Sequence, residues 1–231
     1  MKTKIIALAI GSICLSLHAA DNAKIKFTEN FDVDKSELSS VGTNDFFILA
    51  PGYQLVLEGK EDGKATVLTI TVLNETKMVD GVETRIIEEN ESVDGKPIEI
   101  SRNYFAISKR TSDVFYFGED VDMYKDGKVT SHEGGWQSGV DGAHFGLEMS
   151  AMPLLGARYY QEIAPKSAMD RAEVVSITES FKTPAGKFEK CLKTEETSAL
   201  EKGTEYKIYA RGIGLINEGE LKLKKHGFVS K

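Results

Sequence analysis

Thr66-Val67-Leu68-Thr69-Ile70-Thr71-Val72 sets Leu68, Ile70 and Val72 on one face and Thr69 and Thr71 on the other. That period of two belongs to a half-buried antiparallel strand. The alternation recurs on both sides of the stretch. Val82, Thr84 and Ile86 alternate with Glu83, Arg85 and Ile87, and Ile98 and Ile100 with Glu99 and Ser101, the latter run continuing through Tyr104-Phe105-Ala106-Ile107. Val175, Ile177 and Phe181, then Phe188 and Leu192, then Leu221 and Leu223 repeat it toward the carboxyl end. Between the runs stand Asp62-Gly63, Asp80-Gly81, Asp94-Gly95, Asp126-Gly127 and Pro184-Ala185-Gly186. Asp-Gly supplies the positive backbone dihedrals of tight hairpins. The expected fold is mostly β: a single antiparallel meander forming a strongly curved sheet, half-barrel or barrel, with few short helices and an inner apolar face. Pro153–Ile163 is the main helical competitor, weakened by Gly156 and by the β-formers Tyr159 and Tyr160.

Composition bounds the class. The 231 residues are 41% hydrophobic and 28% charged, enough apolar material for a core and too much for a disordered chain. With 36 acidic against 29 basic residues the formal net charge is -7, the wrong sign for docking a phosphate backbone or an anionic leaflet, so nucleic-acid binding is excluded as an expectation. Lys2 and Lys4, an apolar run from Ile5 to Leu17 and the small exit His18-Ala19-Ala20 read as an export signal over residues 1–20, cleaved near Ala19 or Ala20. Residues 21–45 read as an extended arm and 46–231 as one β domain. The apolar run is too short to span a bilayer and no later segment is longer, so no transmembrane segment is expected in the mature chain, which would be periplasmic or secreted. Cys14 is a poor lipidation site because the bulky Ile13 precedes it. Cys191 then stands alone in a strand-like run with no histidine nearby, an inert thiol rather than a nucleophile.

Several strings carry a resemblance. Val72-Leu73-Asn74-Glu75-Thr76-Lys77-Met78-Val79-Asp80-Gly81-Val82, Val114-Phe115-Tyr116-Phe117-Gly118-Glu119-Asp120-Val121 and Ser131-His132-Glu133-Gly134-Gly135-Trp136 are similar to a widespread family of exported bacterial β-rich proteins without established function. Pro184-Ala185-Gly186-Lys187-Phe188 and Tyr209-Ala210-Arg211-Gly212-Ile213-Gly214-Leu215 also resemble periplasmic half-barrels of the lipoprotein-carrier type, with Arg211 where those proteins usually have proline. The resemblance implies an envelope location and a curved sheet able to cradle an acyl chain, and it supplies no catalytic residue.

The chemistry-bearing residues are sparse. His132, Glu133 and His144 form the one candidate metal set, imidazole and carboxylate being suited to zinc or copper, but Gly134-Gly135 rules out the single helix face of a metalloprotease. Glu119-Asp120-Val121-Asp122 lacks the spacing of a calcium loop. No serine elbow, triad or dinucleotide loop is present, and no cofactor is expected. Aromatics are the richer signal, with Tyr104, Phe115, Phe117, Trp136 and Tyr159 the candidate lining of a ligand groove. The functional expectation is a non-catalytic binding module for a lipid, another apolar ligand or an envelope protein. The alternatives are a metal-dependent enzyme or metal-binding protein on His132, Glu133 and His144, and a structural or adhesive envelope component.

Overall fold

Four Asp-Gly pairs close two-residue hairpins in the computed structural model, which describes residues 26–229. Asp62-Gly63, Asp80-Gly81, Asp94-Gly95 and Asp126-Gly127 hold positive φ at both positions, as a type I′ turn requires. Pro184-Ala185 closes a fifth hairpin between the paired residues Thr183 and Gly186. The strands of the amino-terminal half are β1 (Leu38–Ser39), β2 (Gly42–Asn44), β3 (Phe47–Leu49), β4 (Tyr53–Glu61), β5 (Lys64–Val79), β6 (Val82–Val93), β7 (Lys96–Ser108), β8 (Val114–Lys125) and β9 (Lys128–Ser131). Then come β10 (Trp136–Gln137), β11 (His144–Met149), β12 (Arg158–Tyr160), β13 (Glu162–Ile163), β14 (Asp170–Thr183), β15 (Gly186–Ser198), β16 (Glu205–Ala210), β17 (Gly214–Glu218) and β18 (Leu221–Phe228). Among the described residues no α-helix forms. The only helical turn in this described part is a 3-10 turn, Lys35–Glu37, capped by the Asp34 carboxylate. The helix weighed for Pro153–Ile163 gives way to strand, because Tyr159 and Tyr160 find partners in Ala172 and Arg171.

One sixteen-stranded antiparallel sheet runs β12-β14-β15-β16-β17-β18-β4-β5-β6-β7-β8-β11-β13, with β1 beside β7 and with β9 and β10 beside β8. Its two ends meet in a single segment: Arg158–Tyr160 pairs with β14 and Glu162–Ile163 pairs with β11. The sheet is therefore nearly closed into a barrel along an imperfectly sealed seam. Gly146 makes the crossing possible, since a Cβ there would lie 2.5 Å from the carbonyl oxygens of Tyr160 and Gln161. The free edge of β12 is covered by the arm. Thr28 donates to the Arg158 carbonyl at 3.0 Å and accepts from the Tyr160 N–H at 2.9 Å.

Opposite faces of β7 feed two cores. Phe105 and Ile107 join the larger one, where Phe46, Tyr53, Leu55, Val72 and Ile87 fill one end of the barrel. Tyr104 and Ala106 join a second, outside the wall, where Phe115 and Phe117 are covered by Leu38, Phe31 and Val33 of the arm. The filled end is plugged by the β2–β3 hairpin. Asp45 in that hairpin forms an ion pair with Arg211, whose guanidinium lies 4.8 Å from the Phe46 ring centroid. The five hairpins β4–β5, β6–β7, β8–β9, β15–β16 and β17–β18 all turn at the other end, which stays open.

Arg85 is the most heavily engaged buried polar side chain of the wall. The β5–β6 register breaks between Val72 and Thr76, leaving carbonyls of the bulged segment without ladder partners. Arg85 is 4% exposed. Its NH1 group donates to the Asn74 carbonyl at 2.7 Å and its Nε donates to Ser40 in the arm at 2.9 Å. One guanidinium thus ties the bulge to the arm.

Candidate functional site in the barrel lumen

Toward the open mouth the inward side chains change from apolar to acidic along strand after strand. On β6 the order is Ile87, Glu89, Glu91; on β7 it is Phe105, Asn103, Ser101, Glu99; on β16 it is Tyr209, Lys207, Glu205. The wall is completed by Glu119 of β8, Glu148 of β11, Glu162 of β13, Asp170 of β14, Glu196 of β15 and Glu218 of β17. This polar ring corrects the expectation of an apolar inner face. Ile98 and Ile100 stand on the other side of β7, alternating with the lumen-facing Glu99 and Ser101.

The cavities grow toward the mouth. The apolar pocket at the plugged end holds about 80 Å³, whereas the middle chamber around Glu89, Glu148 and Gln161 holds about 230 Å³. Two chambers at the mouth hold about 260 and 340 Å³. Glu89, Glu99 and Ser101 line both the middle chamber and the first of these, and Glu196 and Lys207 line both the middle chamber and the second. They are lobes of one lumen, polar and wide enough for water.

Carboxylates crowded in such a space are hard to ionise. Burial, reinforced by Glu218, pushes the Glu89 carboxyl up to about 8, while burial with Glu99 pushes Glu119 up to about 7. Burial with Glu196 does the same for Glu148, to about 7, and Glu162 is raised well above its ordinary value by burial and Asp170. Among the described residues Lys207 is the single cation lining the middle chamber. Burial acts to lower its pKa, but Glu196 at 3.2 Å and Glu218 at 3.1 Å outweigh it and hold the ammonium charged.

The raised carboxyls give stability a definite pH dependence. A carboxyl whose folded pKa is raised binds more protons folded than unfolded, so stability falls as pH climbs from about 4.5 through about 8. A tenfold change in proton affinity is worth ~1.4 kcal/mol, so a net hundredfold change remaining over the whole ring after screening by lumen water is worth about 2–3 kcal/mol across the window. Asp34, Asp80, Asp120 and Glu189 are shifted down and act only at lower pH. Thermal melts followed by circular dichroism should give a midpoint about 5–10 °C higher at pH 5.5 than at pH 8.5. Equal midpoints would mean that the lumen carboxyls ionise without penalty.

Neutral polar groups of the wall are largely spent on one another. Tyr116 donates its hydroxyl to Asn103 Oδ1 at 2.7 Å, and Asn103 donates its amide to Ser101 at 3.1 Å. Gln161, 6% exposed, donates Nε2 to Glu148 at 3.3 Å. Its Oε1 has no hydrogen-bond partner among the described residues. An unpaired buried acceptor of this kind costs about 1–3 kcal/mol.

Neither a family model, a curated protein nor a solved structure matches the chain.

The residues singled out from sequence lie elsewhere. Tyr104, Phe115 and Phe117 are packed in the outer core beneath the arm. Tyr159 is buried in the larger core, and Trp136 packs edge-on against Tyr116. His132 sits outside the wall, its Nδ1 2.9 Å from an Asp122 carboxylate oxygen, while His144 pairs through its backbone with Ile163 on β13. Among the described residues no group of three or more His, Cys, Asp or Glu side chains is placed to hold a metal ion. The Glu119–Asp122 run is split by the wall, with Glu119 inside and Asp120 outside, 2.9 Å from Lys77. Cys191 is fully buried and burial raises its thiol pKa, which suppresses the thiolate. The export signal and Cys14 fall outside the described residues. Among the described residues no helix is long and apolar enough to cross a membrane.

Proposed function

We propose that this chain is a non-catalytic binding protein of the cell envelope that carries a small ligand in its barrel lumen. One observation supports this above the rest: the interior is left open where it is most polar. Wide barrels enclose ligand cavities when side chains do not fill them. Here the plugged end is packed, while the chambers lined by Glu89, Ser101 and Lys207 reach the mouth. Keeping carboxylates in such a space lowers stability, a cost that a packed apolar interior would avoid. The 80 Å³ left at the apolar end favours a polar ligand over the acyl chain that the carrier resemblance implies. An envelope location rests on the export-signal pattern of residues 1–20.

Native mass spectrometry of the protein purified from its own host tests the reading. A discrete adduct that disappears on denaturation is expected for the wild type and not for Ser101→Trp, which fills the middle of the lumen. Bare mass in both would count against a lumen ligand.

A further inference from the structure

We propose that the lumen ligand is an elongated organic cation, a linear di- or triamine, with its ammonium groups on the ring of carboxylates and its methylenes on the apolar side chains between them. This rests on the lumen reading and supplies the chemical class of the ligand. Charge is the first argument. The three polar chambers are lined by twelve carboxyl side chains against two lysines, Lys202 and Lys207. Lys207 is already engaged by Glu196 and Glu218, so it offers little to an anion.

The second argument is independent of charge. The hydroxyl of Tyr116 and the amide of Asn103 donate within the wall, whereas Gln161 Oε1, in a residue 94% buried and lining the middle chamber, has no donor. That buried acceptor calls for a donor from whatever fills the chamber, and an ammonium supplies three. A point cation is a poor match, because the carboxylates are spread from Glu148 in the middle chamber to Glu61 at the mouth. No three of them among the described residues are placed to hold one ion. A chain of methylenes between ammonium groups spans that spread. Leu68 and Leu221, set among the glutamates at the mouth, give the methylenes an apolar bed, and Phe105 and Tyr116 offer ring surface in the middle chamber.

Isothermal titration at pH 8 and low salt, with spermidine and 1,5-diaminopentane as probes, tests the inference. Saturable one-to-one binding of spermidine is expected, with MgCl2 at matched ionic strength giving none. The double variant Glu89→Gln, Glu148→Gln should bind at least about tenfold more weakly, since an amide oxygen gives an ammonium a weaker hydrogen bond than a carboxylate does. That variant removes two carboxyls that resist ionisation, so it should melt no lower than wild type at pH 8 and weakened binding cannot be put down to unfolding. Absence of saturable binding, equal affinity in the double variant, or the same response to Mg²⁺ would overturn the cation. If spermidine fails while an adduct of other chemistry is still expelled by Ser101→Trp, the lumen reading stands and only the ligand class falls. Unchanged spermidine affinity in Ser101→Trp would place binding outside the lumen and sink both.

Discussion

Arg85→Met is expected to lower stability by about 2–4 kcal/mol, the scale for leaving two backbone carbonyls without their donor at about 1–3 kcal/mol each, and to drop the melting midpoint by about 5–10 °C. Methionine keeps most of the volume and none of the donors. Loss of the guanidinium strands the Asn74 carbonyl, held at 2.7 Å, and the Ser40 carbonyl, held at 2.9 Å, and weakens longer contacts to Leu73 and Glu75 at 3.5 and 3.4 Å. The Leu73, Asn74 and Glu75 carbonyls get no partner from the β5–β6 ladder, which is interrupted where they lie, and the Ser40 carbonyl belongs to a buried residue of the arm. Arg85→Lys keeps the charge but not the planar fork, so it should recover only part of the loss. Hydrogen exchange separates this account from simple cavity formation. Because Arg85 ties the arm through Ser40, the Leu38–Ser39 pairing with Ile107 and Ser108 should lose protection before the barrel strands do. A midpoint within about 3 °C of wild type, or an arm as protected as before, would show that the bulge holds itself.

The physics of the hairpins made the architecture legible in sequence, and the same physics hid the site. Asp-Gly at 62, 80, 94 and 126 announces its turns because few other pairs accept two left-handed residues in a row. Alternation then gives the strands. It assigns faces only by assuming that apolar means inward, and this rule inverts in the middle of the barrel. Glu99 alternates with Ile98 and Ile100, yet it is Glu99, with Glu89 and Glu91, that faces the lumen. The register could have exposed the like-charge pairing, yet a two-residue turn at Asp94-Gly95 predicts Glu91 opposite Ile98. The pairing slips to Glu91 opposite Glu99 after Ser92 opposite Pro97. Proline, lacking an N–H, is the natural place for such a slip. The aromatics misled for a related reason: Tyr104, Phe115 and Phe117 look like groove lining until the arm is laid over them, and no local pattern in residues 26–45 says which face the arm covers. Arg85 was visible only as the charged member of an alternating run, because its partners are backbone carbonyls 11 and 45 residues away.

Lys207→Met should destabilise the barrel by about 3 kcal/mol at pH 8, a loss that shrinks as the pH is lowered. In the wild type the ammonium sits between Glu196 and Glu218, partly in contact with the lumen, its side chain 23% exposed. Removing it leaves both carboxylates facing Glu148 and Glu89 with no cation in the middle chamber. At pH 8 Glu148 is mostly ionised and Glu89 about half so, and the repulsion is at its largest. At pH 5.5 both are protonated, the chamber carries less charge, and the variant should approach wild-type stability. The difference between the two proteins should therefore widen with pH, whereas a lost packing contact gives a constant difference, since methylene packing does not titrate. Chemical denaturation of both proteins at pH 5.5, 7 and 8 measures it. A pH-independent difference would mean that Lys207 acts through its stem and not its charge. If spermidine added at pH 8 restores the variant more than it stabilises the wild type, the exogenous ammonium is standing where Lys207 stood, which ties the stability of the lumen to the chemistry of its ligand.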